Sequence, residues 1–399
     1  MRQIVRELEE SRIREVANAG LGRDDVLAFW FGEGDEVTPE VVRQAAIASL
    51  QRGETFYSHN LGLPELRAAL AEHLSRLHGP VGADRIAITS GGVNALMVAQ
   101  QALLEPGDEV VIVTPVWPNL TAQPRILGAR LTAVPLRARH GAWTLDLQAL
   151  LDAVTPATRL LVLNAPSNPT GWTLTRDEQR AILAHCRRTG TWILADEVYA
   201  QLYYEEAEGG QGRAGRCAPS FLDIADPGDR LMVVGSFSKA FLMTGWRLGW
   251  LVVPAAATHD VGKLIEFNTS CASVFVQRAA VAALAHAAEI VPPLVTHLKT
   301  CRDTLVPLLQ AVPGVELATP PAGMYAFFRL PGHPDGVETA KRLVREAGLG
   351  LAPGEAFGPE SAGWLRWCFA SRQTDRLRLG VERLRGWLAG QSPAMRAGL

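Results

Sequence analysis

Between Arg85 and Pro254 the chain repeats one rhythm: a short apolar run, a turn rich in Gly or Pro, then a stretch whose apolar positions recur at helical spacing. The runs are Arg85–Thr89, EVVIVTP from Glu109, ARLTAVPL from Ala129, RLLVLNAP from Arg159, TWILADEV from Thr191, RLMVVGSFS from Arg230 and LVVP from Leu251. A strand covered on both faces reads as a continuous apolar run rather than as an alternation. The helical stretches between them, such as NALMVAQQALL after Val93, supply the crossovers that parallel strands need. The expected class is therefore α/β, with a mostly parallel sheet and ligand chemistry collected beyond the carboxyl ends of its strands.

The flanks read differently. Pro39 to about Gly53 is expected as a helix, with Thr38 as its cap and Pro39 in its first turn, and a second helix is expected from about Leu63 to Leu77. After the last apolar run comes an alanine-rich helical region to about Leu309. Beyond Val315, MYAFFRL and WLRWCFA read as short strands accompanied by the helices GVETAKRLVREAG and TDRLRLGVERLRGWLA. This tail is expected to form a smaller α+β unit, completed by the first few dozen residues. A chain of 399 residues exceeds what one core usually supports. The expected division is 1–45 with the small unit, 46–290 as the large domain and 291–399 as the small one. Glu205 to Ser220 is the expected exposed excursion.

A formal net charge of −2, without a long basic block, argues against a nucleic-acid partner. Five cysteines at wide spacing, with no CxxC pair and no HExxH helix, suggest neither a disulfide framework nor a metal site. The charged amino terminus lacks the apolar core of a signal peptide, and no run is long enough to span a bilayer. A cytoplasmic enzyme without a membrane partner is the expectation.

The stretch GSFSKAFLMTGWRLGW, Gly235 to Trp250, sets Lys239 eight residues before Arg247 with no acid between them. An amine near a second cation loses its proton more readily and can then form a Schiff base with an aldehyde. The plain alternative is a solvated lysine at a loop end. Arg247 has the planar fork suited to phosphate, with Ser236 as a nearby hydroxyl, or it pairs with a surface carboxylate. Gly91, Gly92 and Val93, between a strand and a helix, let backbone amides approach an anion. The absence of GxGxxG and of GxxxxGK[ST] speaks against a dinucleotide or a nucleoside triphosphate as that anion. Asp196 ends an apolar strand, where an acid is costly unless paired, and it could keep a pyridine nitrogen protonated or serve as a cap. Glu197 should point elsewhere if the backbone stays extended. Asn168, in LNAPSNPTGW, offers a short amide donor, and Tyr199 follows Asp196 by three.

Taken together, NAPSNPTG, ADEVY and SFSKAFLMTGWRLGW resemble the class I/II aminotransferases, the pyridoxal-phosphate enzymes of fold type I. The likeness runs from about Val26 to near the carboxyl terminus. It implies a large, mostly parallel seven-stranded sheet domain with a smaller α+β domain, and pyridoxal 5′-phosphate as cofactor. It also implies that Lys239 is the Schiff-base lysine and proton carrier, that Asp196 partners the pyridine nitrogen, and that Asn168 and Tyr199 donate to the phenolic oxygen. Ser236, Arg247 and the amides near Gly91, Gly92 and Val93 match the phosphate cup, and Trp117 the ring that stacks on the cofactor. Arg366 matches the arginine for the substrate carboxylate, joined in substrate binding by Asn168 and by Gly34 as the close-approach glycine. Tyr57 matches a tyrosine that reaches a neighbouring subunit's phosphate, which implies a homodimer.

The implied reaction exchanges the amino group of an L-amino acid with a 2-oxo acid in a ping-pong cycle. The same scaffold also carries C–S β-lyases and other reactions of this cofactor, so β-elimination is the alternative. Trp30, Phe31, Trp117, Phe241 and Tyr325 are possible wall residues, which tilts the substrate toward apolar or aromatic amino acids. No second arginine is assignable to a dicarboxylate side chain from sequence.

Overall fold

The computed structural model describes residues 1–139, 141–205 and 217–390. Of the expected excursion, residues 206–216 lie outside the described residues. All seven apolar runs form strands: β1 (Ile86–Thr89), β2 (Glu109–Thr114), β3 (Arg130–Pro135), β4 (Thr158–Asn164), β5 (Trp192–Asp196), β6 (Leu231–Ser236) and β7 (Gly249–Val252). They build one sheet in the order β1-β7-β6-β5-β4-β2-β3. The pairs among β3, β2, β4, β5 and β6 are parallel, and β7 runs antiparallel to both β6 and β1.

The continuous apolar runs have the cause assumed for them. Successive side chains of a strand leave on opposite faces. Here Val111, Val113, Leu161, Leu163 and Ile193 enter one hydrophobic cluster, while Val110, Ile112, Leu160, Val162 and Leu194 enter another. The edge strand β3 is the exception, with most of its residues solvent-exposed.

A second sheet contains β8 (Glu316–Leu317), β9 (Tyr325–Arg329), β10 (Ala352–Pro353) and β11 (Trp364–Cys368), antiparallel throughout, in the order β8-β9-β11-β10. The helices Gly336–Ala347 and Thr374–Ala389 accompany it. The amino-terminal segment joins this part of the chain: Leu27–Ala28 pairs in parallel with Leu349–Gly350, and Glu15 of the Arg12–Ala19 helix forms a 2.5 Å ion pair with Lys341. The alanine-rich region resolves into the helices Thr258–Thr269, Val274–Ala285 and Ala287–Gln310. Among the described residues no single helix is long and apolar enough to cross a membrane; the last two helices pass that test only together, as a pair bent by 77°.

One local expectation fails. The helix after Thr38 runs Glu40–Gln51 with Pro39 at the N-cap position, and Thr38 does not cap it. Its hydroxyl instead donates to the Leu242 carbonyl at 2.6 Å and accepts from the Trp246 indole at 2.9 Å. A long-range tie to the loop behind Lys239 has outcompeted the local cap.

Candidate active site

Side chains from five of the seven strand ends meet on one side of the sheet. Loops after β1, β2, β4, β5 and β6 carry Gly92, Trp117, Asn168, Tyr199 and Lys239 to a cavity of about 570 Å³. Because β7 is antiparallel, its beginning lies where its neighbours end: Gly249 stands opposite both Thr89 and Ser236. Arg247, two residues before it, reaches the same cavity. Arg366 arrives from the second sheet, at the middle of β11.

Lys239 is partly buried, and its amine donates to the Gly32 carbonyl. Burial pushes its pKa down to about 8, Cys368 opposes this, and Arg366 lowers it ahead of Arg247. The sequence argument named Arg247 as the cation that loosens the proton. In the fold, loss of water is the larger cause and Arg366 the stronger cation.

Asp196 is 1% exposed and lines the cavity, where its carboxylate accepts from the Val198 amide at 3.3 Å. Burial raises its pKa to about 7, and the Val198 amide and the Lys239 charge offset this only in part. Glu197 turns away, as extended backbone requires, and accepts from Ser220 at 2.5 Å and the Phe221 amide at 3.1 Å outside this cavity.

Tyr199 and Tyr325 share a hydroxyl–hydroxyl bond of 2.7 Å with their rings edge to face. Tyr325 also lies under the Arg366 guanidinium, 4.4 Å from ring centroid to Cζ, with Phe357 at 4.9 Å. Arg366, 2% exposed, donates from Nη1 to Asn168 Oδ1 at 2.9 Å and from Nη2 to the Trp30 carbonyl. Its Nε is a buried donor without a partner among the described residues. Asn168 accepts through Oδ1, which leaves its amide NH₂ free to donate.

The opposite end of the cavity is an anion cradle. The Gly92–Leu103 helix begins at Gly91 with no side-chain cap, so its first amides are unsatisfied from within and the positive end of its dipole faces the cavity. Gly91 has φ +94°, and a Cβ there would stand 2.5 Å from Arg247 Nη2, so only glycine lets the guanidinium approach. Arg247 itself donates to the Thr244 carbonyl at 2.6 Å and forms no ion pair among the described residues, which removes the surface-carboxylate alternative. Ser236 completes this end. An uncapped helix start, a hydroxyl and a guanidinium in no ion pair among the described residues stand at one end, with a buried carboxylate as acceptor beyond, and this set fits pyridoxal 5′-phosphate.

Of the residues expected from the sequence, Gly92, Val93, Trp117, Asn168, Asp196, Tyr199, Ser236, Lys239, Arg247 and Arg366 line this cavity, with Gly91 directly behind it. Gly34 does not. It borders a smaller void, and Gly32, two residues earlier, faces the site. Tyr57 is 87% exposed and outside the cavity of its own chain. Phe31, Trp117 and Tyr325 form wall, whereas Trp30 and Phe241 belong to the core. Arg14, on the Arg12–Ala19 helix, also lines the cavity, 5.8 Å over the Phe31 ring and in no ion pair among the described residues. Sequence reasoning missed it, and nothing local to that helix singles this arginine out from its charged neighbours.

The sequence model described as aminotransferase class I and II matches residues 28–384. The chain is 30% identical to the aspartate aminotransferase of Pyrococcus horikoshii over 390 residues, covering 96% of each. It is 32% identical to the arginine–pyruvate transaminase of Pseudomonas aeruginosa, over 86% of this chain and 85% of that one. Among solved structures, aspartate aminotransferase from Thermus thermophilus with maleate superposes with a TM-score of 0.87 at 30% identity, covering 97% of this chain and 99% of that one. Aromatic aminotransferase from Pyrococcus horikoshii gives a TM-score of 0.84 at 28% identity, over 94% and 98% of the two chains.

Proposed function

The chain belongs to the class I and II aminotransferases, and from that premise we propose the residue roles by which it moves an amino group from an L-amino acid to a 2-oxo acid. The observation that carries these roles is convergence: the amine of Lys239, the buried carboxylate of Asp196 and the guanidiniums of Arg247 and Arg366 open into one cavity. Bound there, pyridoxal 5′-phosphate supplies an aldehyde for the substrate amine and a ring that draws electrons from the substrate Cα. Ser236, Arg247 and the first amides of the Gly92–Leu103 helix hold the phosphate, and Trp117 covers the ring. Asp196 keeps a proton on the ring nitrogen, and that proton supplies the partner its buried carboxylate needs. Tyr199 and Asn168 donate to the phenolic oxygen. Arg366 receives the substrate carboxylate on the donors that Asn168 and Trp30 leave open, and so orients the Cα–H bond. Lys239 Nζ, with its pKa near 8, removes the Cα proton.

Large exposed residues support a homodimer. Phe56, Tyr57 and Phe267 are 83%, 87% and 87% exposed, and Tyr57 would reach the phosphate of the other subunit. The division 1–45, 46–290 and 291–399 and a cytoplasmic location are part of the same proposal.

The test mixes holoenzyme with single amino acids, without an oxo acid, and follows the cofactor's absorption while pyruvate and ammonia are assayed separately. Stoichiometric conversion without ammonia supports amino transfer; catalytic ammonia release refutes it. Borohydride reduction followed by peptide mass spectrometry should find the cofactor on Lys239, and a label on any other residue overturns the assignment.

A further inference from the structure

Beyond the carboxyl end of β5, on the far side of Asp196 from the large cavity, lies a second group of reactive side chains, which the amino-transfer roles do not use. His78 ends the Pro64–His78 helix and is 5% exposed. Its Nδ1 is 3.1 Å from Asp223 Oδ1, and its Nε2 is 3.8 Å from the Cys217 sulfur. The other Asp223 oxygen accepts from Arg176 Nη2 at 2.5 Å and from the Ser220 amide at 3.0 Å. Burial alone would strip His78 of its proton, but Cys217 and Asp223 outweigh it and raise its pKa to about 10. A thiol beside a protonated imidazole is held toward its nucleophilic thiolate form.

The other four cysteines lack this arrangement. Burial raises Cys186 to about 12 and also raises Cys301 and Cys368. Cys301 also has an imidazole near it, His297 at 3.5 Å, but its thiol donates to the Ser371 carbonyl at 3.3 Å, and the same His297 nitrogen binds that carbonyl at 2.8 Å. Cys271 accepts from the Ser58 amide. Cys217 is partly exposed and, with His78 and Glu197, borders a cavity of about 30 Å³, separate from the large one. That is room for roughly two waters, or for one molecule the size of hydrogen peroxide.

We propose that Cys217, His78 and Asp223 form a modification site at which a small hydroperoxide oxidises the cysteine to a sulfenic acid. The thiolate sulfur attacks one peroxide oxygen, the S–O bond forms and the O–O bond breaks. The departing oxygen takes the proton from His78 Nε2 and leaves as water or an alcohol. Sulfur loses two electrons and the peroxide gains them. Asp223 holds the imidazole in the orientation that presents this proton, and Arg176 holds Asp223. Among the described residues, the other titratable groups that feel the His78 charge include Glu197 after β5 and His73 on its own helix.

The experiment treats the holoenzyme with a small excess of hydrogen peroxide, traps sulfenic acid with dimedone and quantifies all five cysteines by peptide mass spectrometry from pH 6 to 9. Cys217 should be labelled at least about tenfold faster than any other cysteine, because an imidazole held by Asp223 stands beside its sulfur to protonate the departing oxygen. His78→Gln should slow labelling at pH 7 about tenfold, and Asp223→Asn should slow it by less. The proposal falls if another cysteine is labelled first. It also falls if the folded variants match wild type. Should neither variant fold, the order of labelling in the wild type alone decides.

Discussion

Arg366→Lys tests the substrate-orienting role most directly, because it keeps the charge and removes the fork. In the wild type, Nη1 is committed to Asn168, Nη2 to the Trp30 carbonyl, and the guanidinium plane lies against Tyr325 and Phe357. The buried Nε, unpartnered among the described residues, and the second hydrogens of the two terminal nitrogens are left for a ligand. A lysine amine has three donors in all. After satisfying Asn168 and Trp30 it has one donor left and cannot also grip both oxygens of a carboxylate. The substitution therefore removes about one charge-assisted hydrogen bond, roughly 1.5–3 kcal/mol, or about 10- to 150-fold in kcat/KM. The assay is the single-turnover half-reaction with an amino acid, run beside the corresponding primary amine that lacks the α-carboxylate. The amino acid should lose this factor while the amine loses less than about threefold, since nothing in the amine engages the fork. An equal loss for both would mean that the variant disrupts the cavity generally, and no loss for either would mean that Arg366 does not hold the carboxylate.

Three further outcomes are expected. Tyr325→Phe keeps the ring beneath Arg366 but removes the hydroxyl bound to Tyr199, so cofactor affinity, measured by titrating the cofactor-free protein, should fall about 5- to 30-fold, corresponding to roughly 1–2 kcal/mol; an unchanged affinity refutes the link. Gly91→Ala forces a side chain onto Arg247 at a positive φ, and cofactor affinity should drop by about tenfold or more, with inorganic phosphate binding weakened in parallel. In the cofactor-free protein, burial raises Asp196 from its ordinary 3.8 to about 7, so the folded state holds the proton that the unfolded chain has released. Its contribution to stability is full below pH 4 and is lost as pH rises toward 7. Asp196→Asn should therefore gain in Tm relative to wild type across that window, and parallel melting curves from pH 4 to 7 would count against the raised pKa.

The sheet was legible because each strand announces itself locally, through an apolar run bounded by Gly or Pro. The order of Lys239, Asp196, Asn168 and Arg247 along the chain was legible for the same reason: each sits just beyond, or for Arg247 just before, such a run. What escaped depends on partners far apart in sequence. Tyr199 and Tyr325 are 126 residues apart, and no periodicity couples them. Thr38 has the residue type and position of a cap, yet its hydroxyl serves Leu242, 204 residues away. Gly34 was matched by resemblance alone, and only the path of the chain puts Gly32, two residues earlier, at the cavity instead. Arg14 was invisible for a related reason, since one arginine on a charged helix carries no mark of what that helix will cover.

The reversed direction of β7 has an evolutionary corollary. Ser236 and Gly249 face each other across the ladder, so the residues between them form a noose whose two ends are cinched by the sheet. Insertions or exchanges at its crown could retune the surroundings of Lys239 without shifting either anchor. A slip of β7 by a single residue would throw Arg247 off its mark and swap Trp250 and Leu251 between the two cores at once. Diversity among descendants of such a chain should therefore gather at the crown between Lys239 and Arg247 and spare both those residues and the knot.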